Sequence, residues 1–170
     1  ESARYIQTKQ FDEALDILKE KHTLVITGLP GVGKTTLAKQ LALFHSYKGY
    51  EIYHIEDSIS EAEACFCPEK MQFFYFDDFL GANYLDVIEG NFDSKIMNFI
   101  RRVTLDKNKR LVLTSRSNIL NRAKRISDIF NFENISNREY EISVTELTQI
   151  EKANILYNHI WHSSLPTEFS

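Results

Sequence analysis

The chain has 170 residues, of which 43% are hydrophobic and 26% charged, with a net charge of −4. That length suits one domain with a sizeable core, and the mild acidity excludes a global electrostatic pull towards nucleic acid or anionic lipid. No apolar run approaches the length of a membrane span and the opening ESARYIQTKQ has no signal-peptide core, so a cytoplasmic protein without membrane contact is expected.

The first residue is Glu1 rather than Met, as expected of a segment of a longer protein. In chain order, Phe11, Ala14, Leu15 and Leu18 recur at helical spacing and predict a helix before the first strand. Thr23 to Thr27 (TLVIT) is a short apolar run that ends at a glycine and reads as a buried strand. A helix is predicted from about Lys34 to Tyr47, closed by Gly49, with a second strand over Tyr50 to Ile55. Ser60 with Glu63 fits a capping box for a short helix. Cys65 and Cys67 are too close in sequence to bridge well and too few for a tetrahedral metal site, so free thiols are expected. Pro68 ends that region.

Met71 to Phe76 (MQFFYF) predicts a third strand, and Asp93 a cap for a helix whose face is Ile96, Phe99, Ile100 and Val103. Arg110 to Thr114 predicts a fourth strand, Ser117 to about Phe130 a helix, and Glu139 to Val144 a fifth strand. Thr148 with Glu151 fits a second capping box, opening a helix with Leu147, Ile150, Asn154, Tyr157 and Trp161 along one face. Strands alternating with helices imply an α/β fold, a three-layer αβα sandwich around a five-stranded parallel sheet. The expected division is an N-terminal segment and helix over residues 1–22, a core over 23–145, and over 146–170 the start of a further helical module.

Gly28-Leu29-Pro30-Gly31-Val32-Gly33-Lys34-Thr35 fits G-x-x-x-x-G-K-[ST] between a predicted strand and a predicted helix. Glycines let the backbone turn sharply and approach a ligand, so that successive N–H groups point at anionic oxygens. The helix start adds unsatisfied N–H groups and the positive end of its dipole. The candidate nucleotide-binding residues are therefore Gly28, Pro30, Gly31, Val32, Gly33, Lys34, Thr35 and Thr36. Lys34 would neutralise the β and γ phosphates, the Thr35 hydroxyl would be a hard-oxygen ligand for Mg²⁺, and Thr36 would donate to the α phosphate. ATP or ADP with Mg²⁺ is the expected ligand.

Downstream, Phe73-Phe74-Tyr75-Phe76-Asp77-Asp78 places two carboxylates at the C-terminal end of a buried strand, where ligands bind in open α/β sheets. Asp77 is a candidate metal residue, acting through the ion's water shell, and Asp78 a candidate catalytic residue that orients or deprotonates the attacking water. One strand–helix unit, Tyr50 to Cys67, separates the phosphate-loop helix from this strand, an insertion common in NTPases that activate water and unusual in small-molecule kinases. Leu111-Val112-Leu113-Thr114-Ser115-Arg116 ends a strand expected beside the one that carries Asp77. Arg116 could reach a γ phosphate there, or could equally be solvated.

Taken together, GLPGVGKTT, FFYFDDFLG and LVLTSR resemble the STAND class of signalling P-loop NTPases. FIRRV (Phe99 to Val103), KNKRLVLTSRSNILNRA (Lys107 to Ala123) and ILYNHI (Ile155 to Ile160) resemble the bacterial novel-STAND group in particular, and the likeness runs from about Tyr5 to Pro166. The resemblance implies a regulated ATP/ADP switch, often in bacterial defence, that self-associates in the full-length protein. It also implies Arg116 as the γ-phosphate sensor beside the catalytic Lys34 and Asp78, and slow hydrolysis, since Asp78 stands where vigorous motor ATPases of the wider superfamily carry Glu. Tyr5 and Ile6 could cover the adenine.

Half of the Lys and Arg residues fall between Lys95 and Arg125, among them Arg101, Arg102, Lys107, Lys109, Arg110, Arg122, Lys124 and Arg125. A nucleic-acid face is one reading, that of a DNA-associated ATPase of the helicase-loader or transposition-helper type. A solvated helix and loop is the favoured one. Arg122 or Arg125 as an arginine finger across a subunit boundary is a further reading. A P-loop kinase would need an arginine-rich lid that the sequence does not offer, and a nucleotide-binding pseudo-enzyme remains a further alternative. His159 and His162 share the last helix without a matching carboxylate, which suits packing better than metal.

Overall fold

The computed structural model describes residues 8–82, 94–126, 140–144 and 148–161. Helix α1 (Lys9–Lys21) opens on Thr8, whose hydroxyl accepts the Phe11 N–H, and ends on His22 in the left-handed region. Strand β1 (Thr23–Gly28) leads through the phosphate-loop motif into α2 (Lys34–Tyr47). There follow β2 (Glu51–Ile55), α3 (Ile59–Cys65), β3 (Gln72–Phe76), a short α4 (Phe79–Ala82) and α5 (Ser94–Leu105). The described elements end with β4 (Lys109–Arg116), α6 (Ser117–Ile126), β5 (Glu141–Val144) and α7 (Gln149–Trp161).

All strand pairs are parallel and the order is β2-β3-β4-β1-β5. The chain crosses the sheet in one direction from β1 to β2 and returns in the other through β3, β4 and β5. Right-handed crossovers then put α2 on one face and α3, α5 and α6 on the other. The core divides accordingly. Leu24, Ile26, Phe73, Tyr75 and Val112 pack against α1 and α2, whereas Val25, Phe74, Phe76, Leu111 and Leu113 pack against α3, α4, α5 and α6. Strict alternation along β3 and β4 gives each apolar run two buried faces, which is why these strands show no polar side. This is the expected α/β architecture with a five-stranded parallel sheet.

Gly49 closes α2 with φ 90°: its N–H reaches the Ser46 carbonyl at 2.9 Å and Tyr50 N–H reaches that of His45 at 3.0 Å. This paired Schellman closure turns the chain at once into β2. The capping box of α3 lies two residues earlier than the sequence suggested. Glu61, not Glu63, accepts the N–H groups of Ser58 and Asp57 (both 2.8 Å) and Glu56 (3.2 Å), which hold its carboxyl below the usual range. Both Ser58-x-x-Glu61 and Ser60-x-x-Glu63 fit the pattern; the end of β2 selects the first, and Glu63 pairs with Arg102 instead.

The basic stretch also needs correction. Lys109 is fully buried, not solvated. Its ammonium donates to the carbonyls of Cys67 (2.8 Å), Lys70 (2.6 Å) and Pro68 (3.4 Å), lies 3.6 Å from Asp106 and sits 4.9 Å from the Phe66 ring centre. Arg102 covers the same ring at 4.1 Å, and Arg110 lies 5.5 Å from the Tyr50 ring centre. Cys65 and Cys67 are free thiols. On α7, Ile150, Tyr157 and Trp161 are exposed, and Thr148 and Glu151 form the expected capping box. Among the described residues no helix is long and apolar enough to cross a membrane. The expectations for Tyr5, Ile6, Asp93, Leu147, His162 and the segments 127–139 and 162–170 lie outside the described residues.

Candidate functional site

The two directions of crossing diverge between β1 and β4, so the crevice at their C-terminal ends lies at a topological switch point, where open α/β sheets bind ligands. Gly28, the last residue of β1, registers with Arg116, the last residue of β4. The loop that follows turns tightly. A Cβ on Gly28 would lie 2.6 Å from the Val144 carbonyl oxygen and 2.8 Å from Val32 Cγ2, so no larger residue fits. Gly33 precedes α2 with φ 99° and brings no side-chain cap to the helix. The first amides of α2, at Lys34, Thr35 and Thr36, therefore keep their hydrogen-bonding capacity for an anion. Lys34 Nζ donates to the Leu29 carbonyl at 2.9 Å and thus lies across its own loop. Pro30 and Gly31 are exposed, and Val32 is half-buried.

Across the crevice, the structure brings Thr35 and Asp77 together. The Thr35 hydroxyl lies 3.3 and 3.2 Å from the two Asp77 carboxylate oxygens. Thr114, buried on β4, ties both acids in place: its hydroxyl donates to Asp77 Oδ1 at 2.5 Å and accepts the Asp78 N–H at 2.9 Å. Asp78 has φ 45°, a conformation that Asp adopts more readily than most residues. It is held there by this bond and by the turn from its carbonyl to Gly81 N–H at 2.7 Å. Its carboxylate lies against the Gly81 backbone, where any Cβ would collide with it. Arg116 Nη2 lies 3.6 Å from Asp78 Oδ2, with both side chains about half exposed. Asp78 Oδ1 is buried without a hydrogen-bond partner among the described residues.

Behind Asp77, on the α2 side of β3, stands Tyr75. Its hydroxyl is buried without a hydrogen bond of ordinary geometry. Burial, then the neighbouring Asp77 charge, pushes its phenol well above the ordinary range, and the Thr35 hydroxyl lies beside it.

Thr35, Asp77, Asp78 and Arg116 thus converge at the C-terminal ends of β3 and β4, beside Lys34, which lies folded over its own loop. A hydroxyl and a carboxylate within hydrogen-bonding distance form a hard-oxygen pair suited to Mg²⁺, which takes few protein ligands when a phosphate supplies the others. Groups of three or more His, Cys, Asp or Glu side chains suited to a metal are absent among the described residues.

The sequence matches the Novel STAND NTPase 3 family over residues 5–162. The chain belongs to this family. It is therefore a nucleotide-binding NTPase domain, and the STAND resemblance of its motifs is borne out. No curated protein matches it. Among solved structures, AMPPCP-bound DnaA from Aquifex aeolicus is similar, with a TM-score of 0.58 and 15% identity over 96% of this chain and 56% of that one. At that identity the likeness is one of fold, and the chain spans little more than half of the DnaA chain.

Three residues of this candidate site lie outside the roles that the motifs suggest. In sequence, Thr114 reads only as part of a strand, Tyr75 only as an apolar strand residue, and Gly81 only as part of the FFYFDDFLG string. Alternation could have flagged Tyr75, which must share a strand face with Asp77. Nothing in the sequence marks Thr114 as a bridge, because its two partners lie just past the end of another strand.

Proposed function

We propose that this chain is the switch of a larger signalling or defence protein: it binds ATP or ADP with Mg²⁺ and hydrolyses ATP slowly. The observation that carries this reading is the continuous chain of contacts Thr35–Asp77–Thr114–Asp78–Arg116 beside a phosphate loop whose helix amides are uncapped.

In this reading the loop amides and the start of α2 hold the phosphates, and Lys34 leaves the Leu29 carbonyl for the β and γ oxygens. Thr35 directly, and Asp77 through the water shell, would hold Mg²⁺, which supplies charge neutralisation at the same oxygens. Asp78 orients a water in line with the γ phosphorus and takes its proton. Its present neighbour is Arg116, whose guanidinium this reading also assigns to the γ phosphate. ATP would therefore draw Arg116 away from Asp78, whereas ADP would leave the pair intact, which makes the pair a reporter of nucleotide state. Asp is one methylene shorter than Glu and reaches less far towards the attacking water, which favours slow turnover.

Nucleotide-dependent self-association belongs to the same proposal through the STAND likeness, and the exposed Ile150, Tyr157 and Trp161 support α7 as the start of a following helical module. A nucleic-acid face is less favoured, because Lys109 is buried and Arg102 is paired with Glu63 and stacked on Phe66.

The test is calorimetric titration with MgADP and with Mg²⁺ and a non-hydrolysable ATP analogue. Lys34→Ala is expected to weaken both at least about tenfold, the worth of a charge-assisted phosphate contact. Asp78→Asn is expected to keep binding and lose turnover. Unchanged affinity in Lys34→Ala refutes the phosphate-loop assignment, and unchanged turnover in Asp78→Asn refutes the role of Asp78.

A further inference from the structure

Strand β3 takes phenylalanine at 73, 74 and 76, all fully buried, yet carries tyrosine at 75, 3% exposed, with its hydroxyl unpartnered among the described residues. Burying a hydroxyl without a hydrogen bond is unfavourable, and phenylalanine would fill the same space without that cost. The hydroxyl is therefore poorly explained by packing. Its surroundings are specific: it sits beside the Asp77 carboxylate and the Thr35 hydroxyl. The His54 ring stacks on the Tyr75 ring, with centroids 5.0 Å apart and planes 15° apart, so the phenol cannot swing far from that position.

The donors to Asp77 explain the need. Thr114 and Thr35 both give their single proton to this carboxylate. Thr114 is fixed in that role, since its lone pair already accepts the Asp78 N–H. Thr35 is not fixed. As a metal ligand it commits an oxygen lone pair to the cation and turns, so the line of its O–H to Asp77 shifts at the moment when the orientation of that carboxylate matters most.

We propose that Tyr75 is a positioning residue of the metal site, its hydroxyl becoming the replacement donor to Asp77 when Thr35 turns to the cation. The inference rests on the proposed assignment of Thr35 and Asp77 to Mg²⁺ and adds to it a residue that neither motif contains.

The experiment measures ADP affinity of the whole chain by calorimetry, once with excess Mg²⁺ and once with EDTA, for wild type and Tyr75→Phe, together with thermal midpoints. Wild type is expected to bind more tightly with Mg²⁺. In Tyr75→Phe that Mg²⁺ gain is expected to shrink about fivefold, the worth of one hydrogen bond. Metal-free affinity is expected to stay within about twofold, and the midpoint to be no lower than that of wild type, since only an unpartnered hydroxyl is lost. An undiminished Mg²⁺ gain in Tyr75→Phe overturns the inference alone. A lowered midpoint with a matching fall in metal-free affinity also overturns it, because Tyr75 is then structural. No Mg²⁺ gain in wild type overturns both the inference and the reading beneath it.

Discussion

Replacing Thr114 with valine keeps the shape of the side chain and removes only its hydroxyl. Two bonds go with it: the 2.5 Å contact to Asp77 and the 2.9 Å contact from the Asp78 N–H. The residue is buried, so little solvent is at hand to replace them. A neutral hydrogen bond contributes about 1 kcal/mol and one to a charged group about 2 kcal/mol, giving roughly 3 kcal/mol in total. In a domain of this size that lowers the thermal midpoint by roughly 6–12 °C. The backbone of Asp78, held at φ 45° in part by the lost bond, is also freed to relax, so turnover is expected to fall by more than nucleotide affinity does. Thermal unfolding followed by circular dichroism, with ATPase assays on the same preparations, reads both effects. Thr114→Ser keeps the hydroxyl and is expected to recover most of the loss. A Thr114→Val protein that melts within about 2 °C of wild type would refute the argument that this hydroxyl organises the two acids.

Three further outcomes are expected. Lys109→Met strips donors from three carbonyls of the loop before β3 and is expected to cost about 2–4 kcal/mol in urea unfolding. Because Lys109 lies at the opposite end of β4 from the site, nucleotide affinity under native conditions is expected to hold; an unchanged urea midpoint would contradict the structural role. Arg116→Ala is expected to reduce the preference for an ATP analogue over ADP, measured by competition, and an unchanged ratio would return Arg116 to a solvated role. Acidification is expected to destabilise the fold. Burial, aided by the Arg110 charge, keeps His45 and His22 below their ordinary value, so the unfolded chain binds more protons as pH falls through about 6.5. The loss is at most about 1.4 kcal/mol per pH unit for each histidine. It is read from urea midpoints between pH 7.5 and 5.5, and His45→Phe should flatten the slope; equal slopes would contradict it.

The phosphate-loop motif was legible because its residues are local. A glycine that admits no Cβ, an uncapped helix start and a lysine one residue into that helix lie in one short run, and their spacing alone sets their relation. The parallel sheet was legible for a similar reason: continuous apolar runs such as Phe73 to Phe76 make sense only if both strand faces are covered. The position of the acidic pair at a strand end, and of Arg116 beside it, followed from strand adjacency and needed only the order of the sheet.

Other features depended on partners distant in sequence. Ser58 and Ser60 begin equally good capping boxes, and where β2 leaves the sheet decides between them. Lys109 looks like any lysine in a basic stretch until the loop from Cys67 to Lys70 folds over it and supplies carbonyls to its ammonium. Thr114 reads as a β-branched strand residue, and only the register of β4 against β3 sets its hydroxyl between the two aspartates. The sequence by itself determined the phosphate-loop motif and the layered fold, because short-range spacing and strand periodicity are enough to specify them. The tertiary structure decided which hydroxyls, amides and charges meet around Asp77 and Asp78, because hydrogen bonds act over about 3 Å and those distances exist only once strands far apart in the chain lie side by side.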